Sequence, residues 1–180
     1  MAEWQPAPFP LDDPEVVRER VIAAFRGLYD RWFAQEEGIN HGLPIELRAY
    51  RKVEPWGVGL LLTPWMLARL WLAETDPGLY VQSGWAAEDR ADSDPVVVGP
   101  TLRFEAMGTD QRAHLNYHSE LGHYLIQPLI QNMAGFTEAR EVYEAWEQVI
   151  AHRDQVAADQ GRECQWQREV SRREFLFRRR

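Results

Sequence analysis

From Val17 to Trp32 apolar side chains return every three or four positions: Val17, Val21, Phe25, Leu28 and Trp32, with Ile22, Tyr29 and Phe33 widening the stripe. That spacing is one face of a helix. Asp13-Pro14-Glu15 ahead of it supplies a carboxylate cap, a proline in the first turn and an acid at the positive dipole end, and Gly38 is the expected stop. Pro44 to Tyr50 then alternates as a half-buried strand does, and Pro55-Trp56-Gly57 reads as a turn.

The densest apolar run follows, from Trp56 to Glu74, with Arg69 as its only charge before Glu74. Val58 to Leu62 has the length and branching of a buried strand. Thr63-Pro64 reads as a helix start, a hydroxyl cap followed by proline, and Met66, Leu67, Leu70 and Trp71 fall on one face of the short helix this predicts. A membrane span needs about 20 uninterrupted apolar residues, and Pro64 and Arg69 interrupt this run. Further on, Asp76-Pro77-Gly78 is a turn. Val96–Val98 and Leu102–Ala106 read as strand broken at Gly99-Pro100, and Leu121–Ile126 as a strand stopped by Pro128. Thr137 is placed to cap a second amphipathic helix carrying Ala139, Val142, Tyr143, Trp146, Val149, Ile150 and Arg153. The fold predicted is a single α+β domain, with an antiparallel or mixed sheet of three to five strands flanked by two long amphipathic helices. Residues 1–12, with three prolines, form an extended lead-in, residues 13–160 the domain, and residues 161–180 an extended basic tail.

Composition narrows the function. With 45% hydrophobic and 27% charged residues in 180, the chain buries a core and is not broadly disordered. A net charge of −8 argues against nucleic acid as partner. Residues 161–180 carry seven arginines against three glutamates, a local balance of +4, which leaves −12 on the rest. An acidic body with a basic tail suits a cationic partner, or its own tail. Cys164 stands alone, so neither disulfides nor cysteine-based metal sites are expected, and the proline-rich N-terminus lacks the apolar core of an export signal, which predicts a cytoplasmic protein.

Eight tryptophans are the unusual feature, five of them between Trp32 and Trp85. A large apolar face with one N–H donor suits either a core or a binding surface. Catalytic chemistry is sparse. There is no phosphate-cradling glycine loop and no nucleophile elbow. His114, His118 and His123 would make a metal site only if their segment were helical, and the flanking glycines argue for loop or edge strand. A small histidine-dependent metalloenzyme is the alternative this leaves, and a generic heteromeric scaffold is another. Glu54, Glu74, Glu88 and Asp89 lie near tryptophans, but acids there are ordinary surface residues, and neither an enzyme nor a cofactor is expected.

Val58-Gly59-Leu60-Leu61-Leu62-Thr63-Pro64-Trp65-Met66 resembles the Thr-Pro-Trp segment of the HybE-type nickel–iron hydrogenase assembly chaperones. Gly99 to Phe104, Tyr124 to Met133 and the helix after Phe136 are similar to further blocks of that family. Ser171-Arg172-Arg173-Glu174-Phe175-Leu176 resembles its terminal Ser-Arg-Arg-x-x-Leu, which has the order of a twin-arginine signal core. The resemblance implies a cytoplasmic chaperone without catalytic activity. Its client would be the hydrogenase small-subunit precursor with its twin-arginine signal, held until the large subunit is mature; the large subunit and other maturation proteins are further candidate partners. The residues expected to meet a partner are Trp56, Thr63, Pro64, Trp65, Met66 and Trp71, the acids Glu54 and Glu74, and in the tail Arg172, Arg173, Phe175 and Leu176. The tail residues would stand in for the client's signal on the acidic body.

Overall fold

The computed structural model describes residues 3–177, with side chains through residue 158. The chain divides after Ala139 into two compact units. The first contains helix α1 (Pro14–Leu28), one π-helical turn (Tyr29–Phe33), strands β1 (Glu46–Val53), β2 (Trp56–Thr63) and β3 (Met66–Ala73), and the short helix α2 (Ala87–Arg90). Strands β4 (Thr101–Ala106), β5 (Thr109–His118) and β6 (Gly122–Ile130) complete it. The second, from Arg140, holds all but the first residue of helix α3 (Ala139–Phe177).

The α+β expectation holds, but the sheet has six strands rather than three to five, in the order β1-β2-β3-β6-β5-β4, with every neighbouring pair antiparallel. The extra strand is the segment after Thr63, read from sequence as a helix. It is β3, hairpinned onto β2 with Thr63 opposite Met66 and Trp56 opposite Ala73. β3 has β2 on one side and β6 on the other, and both of its faces are buried except at Arg69. Nearly every position is then apolar, so neither a period of two nor one of 3.6 can be read. Thr63 deceives locally as well: its hydroxyl accepts from Trp65 N–H at 3.4 Å and Met66 N–H at 3.1 Å, the donors a helix cap would serve. Here they belong to a tight turn, with proline at its second position.

Other expectations change as well. The first helix does not run to Gly38: α1 ends at Leu28 and the π-helical turn at Phe33. Val96–Val98 is not a strand but loop, where Gly99 passes so close that a Cβ would lie 1.9 Å from the Leu115 carbonyl oxygen. β6 runs through Pro128 to Ile130; beyond Ile126 it pairs with β3 but not β5, and a residue without an N–H is tolerated on such a free edge. The backbone of residues 161–177 is helical within α3 rather than extended. That run has no proline and is rich in helix-forming Arg, Glu and Gln.

The sheet alternates as pleated strands must. One face presents Leu61, Ala68, Leu70, Leu72, Tyr124 and Ile126 to Val17, Val21, Ala24 and Phe25 of α1, whose start is capped by the Asp13 carboxylate. The other presents Trp56, Val58, Trp71, Phe104, Leu115 and Leu125, packed with Trp4 and Val81. The N-terminal lead-in is therefore part of the core: Trp4, Phe9 and Leu11 are buried, and Ala7 N–H donates to Ala73 O at 2.9 Å.

Candidate functional site

The β2–β3 turn sets one end of the site. Trp65, at its third position, is only partly buried, and its ring stacks on Phe33 at 4.3 Å between centroids and 19° between planes, with Phe25 at 6.5 Å behind. Phe33 reaches it because of the π-helical turn. A regular helix would carry the stripe from Leu28 to Trp32, but the wider turn, closed by Ala34 N–H onto Tyr29 O at 2.9 Å, rotates the register by most of one position. Phe33 turns inward and Trp32 outward, 37% exposed. Val96 and Val97, both largely exposed, border the same shallow apolar depression.

Leu28, Pro95, Val96 and Tyr124 are common to this depression and to a cleft of about 560 Å³ that continues from it. The walls of the cleft are the end of α1 with the π-helical turn, the loop following α2, and the β5–β6 turn. Its aromatic walls each carry a guanidinium: Arg31 lies 5.2 Å from the Trp32 ring centre, and Arg90 lies 4.8 Å from that of Trp85 while donating to Asp94 O at 2.6 Å. Asp92 and Glu120 are exposed at the rim, and neither forms an ion pair among the described residues. Asn116, 2% exposed, lines the cleft, and its Nδ2 has no hydrogen-bond partner among the described residues. An unpaired buried amide costs roughly 1–3 kcal/mol, so such groups are uncommon and informative. Burial lowers the pKa of His118, also in the lining, and keeps its ring neutral near neutrality, against the opposing pull of Glu120.

The residues singled out from sequence divide sharply. Trp65 is at the surface. Thr63, Pro64 and Met66 beside it are buried, as are Trp56 and Trp71, which meet each other edge-on at 6.2 Å and both contact Phe104 on the far face of the sheet. A partner cannot touch those rings without opening the core. Glu54 and Glu74 are gathered, together with Asp12, on Lys52 at 3.1, 2.6 and 2.7 Å, and these bonds raise the lysine's pKa. Both carboxylates are already engaged with a partner inside the chain. Arg172, Arg173, Phe175 and Leu176 fall in the helical backbone of α3, and their side chains lie outside the described residues.

The histidines do not converge. His114 and His118 lie on strand β5, where a four-residue separation spans about 13 Å. His123 is wholly buried, accepting at Nδ1 from Gln5 N–H and donating from Nε2 to Trp85 O. Among the described residues no group of three His, Cys, Asp or Glu is placed to hold a metal ion. No helix among them is long and apolar enough to cross a membrane.

Sequence reasoning missed Asn116, Trp85 and Arg90 as site residues, and placed Trp32 on the buried stripe. No local signal marks the π-helical turn, and Asn116 reads as an ordinary strand residue until Tyr124 is paired opposite it.

Against known proteins, a family model described as "[NiFe]-hydrogenase assembly, chaperone, HybE" matches residues 17–178. Among solved structures, the solution structure of HybE from Escherichia coli is similar at 15% identity, over 83% of this chain and 78% of that one, with a TM-score of 0.49. No curated protein matches.

Proposed function

Because the chain belongs to the HybE family of nickel–iron hydrogenase assembly chaperones, we propose that it works in the cytoplasm, binding the hydrogenase small-subunit precursor through the precursor's twin-arginine segment and holding it until the large subunit is mature. A chaperone's role is binding rather than catalysis.

The family match over residues 17–178 carries the client class. The surface supports the mode of binding. Trp65 and Trp32 are large rings left accessible on the α1 side, with Val96 shared by the depression and the cleft and Val97 beside the depression. Tryptophan is the side chain most often found to anchor a protein interface. An arginine-bearing segment followed by apolar residues has a place for both parts here. Its guanidiniums pair with carboxylates and stack on rings, while its apolar side chains take the depression beside Trp65.

The test is co-purification from cells making hydrogenase, with the chain tagged and co-purifying subunits identified. The precursor form of the small subunit is the expected partner. Recovery of the large subunit alone, or equal recovery of a small subunit lacking its N-terminal segment, would overturn this assignment.

A further inference from the structure

Resting on that reading of the client, we infer that the cleft between α1, the loop after α2 and the β5–β6 turn holds the client's main chain in extended form, with Asn116 as the donor to a peptide carbonyl. Asn116 Nδ2 is buried in the lining without a partner among the described residues, and an amide N–H₂ in that state calls for an acceptor. Arg31 and Arg90 are balanced by Asp92 and Glu120, and His118 is kept neutral by burial, so the lining favours neither sign of charge. A neutral acceptor suits such a site better than a carboxylate or an ammonium group. The peptide carbonyl is the acceptor every client residue carries. Trp32 and Trp85 are in the lining, and large apolar rings pack against aliphatic side chains of any shape. At about 560 Å³ the cleft is in the size range of ligand sites, and it opens into the apolar depression beside Trp65, so a segment lying in it extends over that ring. Holding a chain by its backbone serves a protein that must keep an unfinished subunit unfolded locally and then release it.

The test is NMR of the full chain, nitrogen-labelled, titrated with a synthetic peptide of the precursor's N-terminal segment. The Asn116 side-chain amide pair should shift and become slower to exchange with water. It should do so equally with peptides in which single side chains are replaced by alanine. Asn116→Ala and Trp32→Ala should each weaken the peptide about tenfold, the loss of one net hydrogen bond or one ring face. Trp32 is exposed, so its variant keeps the test open if Asn116→Ala fails to fold. A peptide that binds the wild type and both variants equally, leaving the Asn116 amide unshifted, would overturn the cleft while the client assignment stands. Loss of the Asn116 shift on replacing one particular side chain would overturn main-chain recognition. A precursor that fails to bind the wild-type chain at all removes the client assignment, and this inference with it.

Discussion

His123 has no exposed surface, and both of its ring nitrogens are committed, to Gln5 N–H at 2.7 Å and to Trp85 O at 2.8 Å. The ring fastens the N-terminal strap to the loop whose tryptophan walls the cleft. A second ring proton would have to replace the Gln5 hydrogen bond, and burial pulls the pKa below the ordinary 6.5. Between that lowered value and 6.5 the unfolded chain holds the extra proton, so stability is present above pH 6.5 and falls as pH drops through that window. The urea midpoint should therefore be lower at pH 5.5 than at pH 7.5. His123→Gln should be less stable at neutral pH and show a shallower acid loss, with His118, lowered in the same direction, supplying the remainder. An equal acid loss in the variant would assign the effect to other groups. Trp65 invites a different substitution. Its ring stacks on Phe33 but stays partly exposed, so Trp65→Ala should cost about 1–2 kcal/mol of stability, leave the circular dichroism spectrum unchanged, and weaken precursor binding. Collapse of the spectrum would make the ring a core residue.

At the scale of elements, legibility followed burial geometry. Helix α1 was readable because one of its faces meets the core and the other meets water, which prints a period on the sequence. β3 was not, because a strand enclosed on both faces prints none, and the Thr63 hydroxyl serves a turn and a helix cap through the same two N–H groups. The strap was half legible: its prolines announced extended chain, but nothing announced that Trp4, Phe9 and Leu11 would be buried. Its fit depends on Gly122 in β6, where φ is +72° and an added Cβ would lie 2.4 Å from Pro6 O and 2.6 Å from Gln5 O. Left-handed backbone alone costs a non-glycine residue roughly 1–2 kcal/mol. Gly122→Ala should exceed that by displacing the strap from His123. Amide exchange at Ala7, now bonded to Ala73 O, reports the outcome. Faster exchange is expected there while β2 and β3 stay protected, and a protected Ala7 would mean the strap is held by its apolar anchors alone.

For the molecule as a whole, charge was the most legible property and the site's shape the least. A net −8 is written in the composition. Which acids remain available depends on long-range packing, and the pair nearest the central tryptophans in sequence, Glu54 and Glu74, proved to be held by Lys52. The exposed carboxylates of Glu88 and Asp89 are different. They sit on α2, next to the Trp85 wall of the cleft, and no ion pair holds either among the described residues. A client bringing two arginines meets these acids at long range before it reaches the rings, and exposed charges act beyond about 8 Å only weakly at physiological salt. They should therefore govern how fast the precursor arrives more than how long it stays. The expectation is that association with a twin-arginine peptide slows as salt is raised, and that dissociation changes little. Glu88→Gln with Asp89→Asn should slow association several-fold at low salt and flatten its salt dependence, leaving the rate at high salt near that of the wild type. Stopped-flow binding over a salt series measures all three. Association independent of salt in the wild type would leave the apolar contacts of Trp65 and Trp32 as the whole of the attraction.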